Sequence, residues 1–436
     1  MVLNNLALRR IRQPLWAFIE SGENISHDFV EMSESEKHPI FRRFGPSFTE
    51  NSVQLIVHGQ GVLLFNYKGA GPCVFNVFNK DKSAGLKVEF TTGGVKVAGS
   101  VPLVDTNSTK GLSTDPGAYY WFSLDSQNQK LYAGVGEARL DTVVYQYEFP
   151  KKTEENKAFL ENLVSCTLGS YMKALRLLRD PVTLTVPMIV RATDELTMSD
   201  VAAGTYLPSA NLSTMNQKLY NCVSGRKFIL DDADFPDFSK AIEHSIATPG
   251  LWCNTKLKEK STEFSKDKPN PLETYLRITL GQNNGESPGI PYVMEIWPVG
   301  HYSPVHGHAG ANAIIRVLYG NIHVRLFPFL SAEAVPFSYA EFNTGDITWI
   351  SPTLNQVHQL TNLKTSKTTC ITIQCYMYDE ADKGHYDYFD YIDPNGAQQQ
   401  YEPDSDMDFV AFKALMKREW LQASFFRRLG NCFRLT

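Results

Sequence analysis

Two blocks of short runs rich in β-branched and aromatic residues constrain the fold of this chain more than any other feature. Short runs of this kind, separated by glycine turns such as Gly59-Gln60-Gly61, are typical of antiparallel strands. The first block predicts strands at Ser52–Val57, Val62–Tyr67, Val74–Phe78, Leu86–Phe90, Tyr119–Leu124 and Thr142–Tyr147. Residues 1–150 are therefore predicted to form a β-sandwich or jelly-roll domain. No motif in this half indicates which ligand it binds.

Helical periodicity follows the first block. Apolar residues at helical spacing predict a helix over Glu154–Arg179 that ends at Asp180-Pro181, where proline stops a helix. Two more helices are predicted over Thr214–Val223 and Asp237–Ser245, and the polar segment Lys256–Pro271 is predicted to be a loop. We therefore interpret residues 151–270 as a helical connector.

The second β block begins at Thr274 and defines a C-terminal domain, residues 271–436. Its predicted strands are Thr274–Leu280, Tyr292–Trp297, Ala313–Tyr319, Ile322–Phe327, Phe337–Phe342, Ile347–Ile350 and Thr369–Tyr378. Helical apolar spacing over Phe409–Arg428 predicts a closing helix. The whole chain is thus predicted to be mainly β.

Composition and charge exclude several classes of function. The chain has 42 Lys and Arg against 47 Asp and Glu, a net charge of −5, which provides no basic field for nucleic acid or anionic lipid. No apolar stretch approaches the roughly 20 residues that a bilayer crossing needs. Seven cysteines without paired spacing indicate reduced thiols, so we expect a cytoplasmic protein. The arginine-rich start fits either a mitochondrial presequence or an ordered N-terminal arm.

The pattern His306-Gly307-His308 points to a metal site. Residues two apart on a strand point to one face, so both imidazoles can enter the same cavity. His358 comes fifty residues after His308, an interval that fits about four strands and lets a later strand return beside the first in a small barrel. The three rings can then bind one metal ion.

The residues after this pair limit the chemistry of the site. Many metal-binding cupins carry a glutamate there, but residues 309–313 contain no carboxylate. Three neutral imidazoles leave the ion its full charge, which suits an anionic ligand such as a thiolate. Catalytic zinc also uses three histidines and a water, so zinc-dependent hydrolysis is the chemical rival.

From Tyr275 to about Gly396 the chain resembles the cysteine dioxygenase family of the cupin superfamily. The resemblance rests on the ordered residues Trp297-Pro298-Val299-Gly300-His301, Ser303, His306-Gly307-His308, Tyr275-Leu276-Arg277, Gln356-Val357-His358, Tyr376 and the aromatic segment 385–396. It implies a C-terminal cupin β-barrel, with Fe(II) held by His306, His308 and His358.

The resemblance also implies roles for other residues. Arg277 would grip the substrate carboxylate through its planar fork, and Tyr376 would hydrogen-bond to dioxygen or substrate. His301 would either contact the metal-binding histidines without binding the metal itself or be a simple loop residue. Two departures stand out: Ala313 replaces the cysteine that cross-links to the tyrosine in the animal enzymes, and Gln374 replaces the histidine of the family's relay. Since glutamine does not titrate, hydrogen bonding survives at Gln374 while proton transfer is weakened.

These observations predict an Fe(II)-dependent dioxygenase that converts L-cysteine and O2 to cysteine sulfinate. Two alternatives stay open. The first is oxidation of another small thiol, such as 3-mercaptopropionate. The second is a non-catalytic, metal-binding cupin module that senses a ligand for the N-terminal domain.

Overall fold

The computed structural model describes residues 52–100, 110–150, 152–183, 185–265, 268–281, 292–378 and 388–432, with side chains described as far as residue 424. The arginine-rich start and residues 385–387 of the aromatic segment lie outside these ranges. Within them the fold is mainly β, as the sequence predicts.

Two five-stranded antiparallel sheets form the N-terminal sandwich. The first sheet has the order β1 (Ser52–Gln54), β9 (Leu163–Thr167), β3 (Cys73–Asn79), β4 (Gly85–Thr91) and β5 (Gly94–Gly99). The second has the order β10 (Met172–Leu178), β2 (Gln60–Tyr67), β6 (Tyr120–Asp125), β7 (Lys130–Val135) and β8 (Val143–Glu148). Phe65 of the second sheet packs edge-on against Phe75 and Phe90 of the first, each with ring centroids 5.4 Å apart. The predicted β-sandwich is confirmed.

The helix predicted over Glu154–Arg179 is wrong beyond its first turns. Helix α1 spans only Glu154–Glu161, and strands β9 and β10 follow it. Phe159 and Leu163, like Tyr171 and Leu175, are four residues apart, a separation that fits a helix face and also the two-residue period of a strand. Pairing of β9 with β1 and β3, and of β10 with β2, favours strands, so the sandwich continues to Leu178, past residue 150.

The rest of the connector contains short helices. They are α2 (Met198–Ala203), α3 (Thr214–Val223), α4 (Phe238–Ala247) and α5 (Trp252–Glu259). The predictions of α3 and α4 are confirmed to within two residues. Helix α5 was not predicted and enters the segment predicted to be a loop, because Cys253 and Leu257 are buried by tertiary packing that local polarity does not reveal.

Two sheets face each other in the C-terminal half. The larger sheet has the order β12 (Leu207–Pro208), β11 (Val190–Arg191), β19 (Ile347–Ile350), β16 (Asn312–Tyr319), β21 (Cys370–Met377), β14 (Tyr292–Trp297), β13 (Leu276–Gly281) and β24 (Met407–Asp408). The smaller has the order β18 (Ser338–Asn343), β17 (Asn321–Leu326), β20 (Val357–Thr361), β15 (His306–Gly307), β22 (Phe389–Ile392) and β23 (Gln398–Tyr401). The smaller sheet is antiparallel, and the larger is antiparallel except for the parallel pairs β11–β12 and β13–β24. Trp297 and Val317 of the larger sheet share one buried cluster with Leu326 and Phe342 of the smaller. This is the double-sheet arrangement of a cupin-type jelly roll, with two facing sheets in place of a closed barrel.

Helices cover the outer face of the larger sheet. The closing helix α6 spans Phe409–Cys432, as predicted in outline. Phe412 of this helix is fully buried. Its ring centroid lies 5.4 Å from that of Trp252 on α5 and 6.0 Å from that of Phe238 on α4. The inner face of the larger sheet packs against the smaller sheet through the buried cluster described above. None of the helices within the described ranges is both long enough and apolar enough to cross a bilayer.

Candidate metal centre

Three histidines converge between the two C-terminal sheets. His306 on β15 lies directly opposite His358 on β20 in the antiparallel register, and His308 follows the end of β15. The ring centroids are 4.9 Å apart for His306 and His308 and 4.7 Å apart for each other pair. Strands β16, β17, β18 and β19 separate His308 from β20, so the predicted return of a later strand beside the first is confirmed.

Backbone carbonyls hold two of the three rings. Nδ1 of His306 lies 3.0 Å from the carbonyl oxygen of Pro304, and Nδ1 of His358 lies 3.2 Å from that of Asn355. A nitrogen that faces a carbonyl carries the proton, so Nε2 of these two rings keeps its lone pair. Nε2 of His308 lies at hydrogen-bond distance, 3.1 Å, from Nε2 of His358, and Nδ1 of His308 is buried without a partner among the described residues. A cation bound between the rings would replace that hydrogen bond.

The three rings are neutral near pH 7. Burial lowers the pKa of His306 to about 4 and that of His358 to about 3, and burial together with the two neighbouring rings lowers the pKa of His308 well below its usual value. One nitrogen from each ring lies within 4.8 Å of the others, and among the described residues no thiol or carboxylate joins this group. The donor set therefore fits a divalent transition metal held by imidazoles alone.

A small cavity opens beside the three rings. Its volume is about 50 Å³, several times the roughly 10–15 Å³ that one water molecule needs. Arg277, Glu295, Gln374 and Tyr376 line it together with the histidines. The cavity therefore suits a small ligand.

Arg277, Gln374 and Tyr376 are brought together, as the sequence analysis expects, but through a residue that it missed. Glu295 on β14 lies directly opposite Arg277 on β13, with Oε1 3.7 Å from the guanidinium Nε. Gln374 donates from Nε2 to Glu295, and Tyr376 donates its hydroxyl to Oε1 of Gln374. An acidic residue within the apolar run Val293–Trp297 was the sequence signal for this group, because unpaired carboxylates are rarely buried.

Burial determines the charges in this network. It raises the pKa of Glu295 to about 7, although the neighbouring Arg277 opposes the shift. Burial alone would lower the pKa of Arg277, but the charge of Glu295 holds it above its usual value. Burial, with Glu295 nearby, raises the pKa of Tyr376 well above its usual range, so the phenol keeps its proton.

Two further predicted positions are clear in the structure. His301 lies outside the lining of the cavity and bonds through Nδ1 to Thr274, whose carbonyl oxygen is 2.9 Å away. Its contacts fit the simpler of the two alternatives, a loop residue that fixes the start of β13. Ala313 is paired with Tyr376 across β16 and β21, so no cysteine stands at that point beside the tyrosine.

Comparisons with known proteins show likeness in part of the chain only. No protein-family model matches, and no curated protein matches. Among solved structures, the chain is similar to the cupin domain of Schizosaccharomyces pombe Cnp3 (11% identity, 24% of this chain and 65% of that one, TM-score 0.19). Similar matches are an oxalate oxidase (18% identity, 21% of this chain and 43% of that one, TM-score 0.17) and a cupin protein from Bacteroides fragilis (18% identity, 22% of this chain and 73% of that one, TM-score 0.16). The match spans less than two thirds of the length of the Cnp3 cupin domain and of the oxalate oxidase.

Proposed function

We propose that this protein is an Fe(II)-dependent thiol dioxygenase that converts L-cysteine and O2 to cysteine sulfinate. The observation that carries the proposal is the meeting of three neutral imidazoles with Arg277 and Tyr376 in one small cavity. The reaction balances without a further reductant, because both atoms of O2 pass to the sulfur of the thiol.

The three rings would hold the metal. A ferrous ion bound there would supply the activation of the thiol and of dioxygen. Because His306, His308 and His358 contribute no negative charge, an anionic thiolate is the ligand that their arrangement favours. His308 and His358 are buried and His306 is half-buried between the two sheets, which limits the access of bulk water to the reacting groups.

Arg277 and the network behind it would position the substrate. The guanidinium can bind a carboxylate through two hydrogen bonds, and Glu295 adjoins the same space as an acceptor for an ammonium group. The bond from Tyr376 to Gln374 fixes the phenol near His308, with ring centroids 5.4 Å apart. A zwitterionic amino thiol of small size matches this combination of charges.

Oxygen uptake by the purified protein tests the proposal. After anaerobic reconstitution with Fe(II), we expect cysteine to support O2 consumption with cysteine sulfinate as the product. A panel of cysteine, 3-mercaptopropionate and cysteamine, measured with an oxygen electrode and by mass spectrometry, separates the candidate substrates. Absence of uptake with every thiol in the panel would contradict the proposal.

A second candidate is oxidation of another small thiol such as 3-mercaptopropionate, because Gln374, which bonds to Tyr376, stands where the family that the chain resembles has a histidine. Strict dependence on the α-amino group would favour cysteine over this candidate. Nickel or zinc bound without turnover would instead favour a non-catalytic cupin module.

The variant Tyr376→Phe tests the positioning role of the hydroxyl. We expect kcat to fall about 100-fold, the order found when one positioned hydrogen-bonding group is removed from an active site. Metal content should stay at the parent level, because Tyr376 is not among the metal ligands. Tyr302→Phe is the matched control, since this hydroxyl accepts a hydrogen bond from Asn270 at 2.8 Å but lies outside the cavity. Equal rates in the two variants would contradict the role.

A further inference from the structure

A buried carboxylate of the N-terminal sandwich reaches into the C-terminal half. Glu137 follows strand β7 and is fully buried. Its Oε2 accepts the backbone N–H of Asn355 at 2.9 Å, and its Oε1 accepts that of Gln356 at 2.8 Å. Nη1 of Arg139 lies 3.6 Å from Oε2 of Glu137 and donates a hydrogen bond to Oδ1 of Asn355 at 3.0 Å. One charged pair of the sandwich thus holds two consecutive residues 218 or 219 positions away in the chain.

The segment held in this way controls the orientation of His358. The carbonyl oxygen of Asn355 is the partner of Nδ1 of His358, at 3.2 Å. Asn355 has a φ of +61°, a conformation that costs free energy for a residue with a side chain unless neighbouring contacts enforce it. Its backbone N–H, bonded to Glu137, and its side chain, bonded to Arg139, supply those contacts.

The same segment also reaches the loop that follows His308. The side-chain amide of Gln356 donates to the carbonyl oxygen of Ala311 at 2.9 Å, and its Oε1 accepts the backbone N–H of Gly310 at 2.9 Å. Ala311 in turn donates its N–H to the carbonyl oxygen of His308 at 3.0 Å. Glu137 is therefore linked, through Gln356, to the backbone of a second candidate ligand.

The sandwich and the metal-site segment are packed too closely to shift independently. Gly136 has a φ of +84°, and a Cβ there would lie 2.3 Å from the carbonyl oxygen of Pro328 in the C-terminal half. Glu137 donates its own N–H to that oxygen at 3.2 Å. Val357, next to His358, is fully buried in the hydrophobic core of the sandwich. This close packing makes Glu137 a rigid reference point for the segment before His358.

We infer that the N-terminal sandwich has a function in the metal site, with Glu137 as the positioning residue that sets the ring orientation and Nδ1–H tautomer of His358. The inference rests on the metal-binding part of the proposed function and not on the thiol chemistry. Ligand histidines depend on such partners, whose removal typically lowers metal affinity about 10- to 100-fold. The sandwich is then a structural component of the metal centre.

The variant Glu137→Gln tests this inference. In the parent each backbone N–H bonds to a separate carboxylate oxygen, and the amide replaces one of these oxygens by an NH2 donor, so the N–H of Asn355 or of Gln356 loses its acceptor. We expect the affinity for Co(II), followed by its visible absorption, to fall about 10-fold or more. In the metal-free protein labelled with ¹⁵N-histidine, we expect the His358 ring to change from a single Nδ1–H tautomer to a mixture of tautomers. The signals of His358 are assigned with His358→Gln.

Glu419→Gln is the matched control. Glu419 on α6 is also a buried glutamate that accepts a backbone N–H, that of Trp252 at 3.0 Å, but it contacts the helical layer instead of the metal site. We expect this control to leave the Co(II) affinity and the His358 tautomer at the parent values. A general loss of stability would affect both glutamine variants, whereas the inferred role affects only Glu137→Gln.

If Glu137→Gln does not fold, Asn355→Gly tests the inference in its place. Glycine accepts the positive φ and keeps the N–H to Glu137, but it loses the side-chain bonds to Arg139 and to the carbonyl oxygen of Trp349. We expect a smaller loss of Co(II) affinity than in Glu137→Gln, again with a mixed His358 tautomer. Unchanged affinity, within twofold, together with an unchanged tautomer in the folded variant would overturn the inference. Because the tautomer is measured without metal, it decides the inference even if the proposed dioxygenase activity is absent.

Discussion

Replacing His358 with alanine is expected to lower the affinity for Fe(II) or Co(II) by at least ~100-fold, beyond the loss typical of an outer-shell partner, and to abolish oxygen uptake. His358 supplies one of three lone pairs, and no carboxylate or thiol among the described residues stands close enough to replace it. Two neutral imidazoles bind a divalent ion only weakly, because water competes for the same coordination positions. Metal content by mass spectrometry and titration with Co(II) measure the effect.

His323→Ala is the control for this prediction. His323 lies on strand β17 of the same smaller sheet, but its side chain is 29% exposed and lies 4.0 Å from Glu341, away from the cavity. We expect its metal content and oxygen uptake to match the parent protein. Full metal occupancy in His358→Ala would show that the ion binds elsewhere and would end the proposed assignment of the site.

Replacing Arg277 with methionine is expected to destabilise the C-terminal half by about 3 kcal/mol at pH 9, where Glu295 is driven to ionise, which lies within the range of about 3–5 kcal/mol found when one partner of a buried ion pair is removed. Arg277 and Glu295 are 2% and 5% exposed, so the remaining carboxylate has no water to compensate for the lost guanidinium. Urea unfolding measures the loss. The double variant Arg277→Met/Glu295→Gln should recover most of it, because no buried charge is left unpaired.

The pH dependence of Arg277→Met distinguishes this cause from simple loss of packing. In the parent, Glu295 has a pKa of about 7 when folded, above its unfolded value, so its ionisation opposes folding as pH rises towards 7. Loss of Arg277 raises the folded pKa further and extends that penalty to higher pH. We therefore expect the stability difference between variant and parent to be small near pH 6 and to grow from pH 7 to pH 9. A difference that does not vary with pH would instead indicate lost packing.

The sequence predicted the three-histidine group because its arrangement depends on local geometry. The two-residue spacing of His306 and His308 brings their rings together although β15 ends at Gly307, and the return of β20 after four further strands needs only regular strand lengths. The same local reasoning failed over Glu154–Arg179. Residues four apart fit both a helix and a strand, and pairing of β9 and β10 with distant strands of the sandwich decided between them.

The sequence by itself determined the mainly β fold and the three-histidine set, and it predicted that Arg277 and Tyr376 lie beside that set. Only the tertiary structure decided that Arg277 has a buried acidic partner and that Glu137 holds the segment before His358. The physical reason is that these contacts join neighbours across sheets or between the two halves of the chain. A single sequence carries no signal for the register of strands or for the partner of a buried charge far away in the chain.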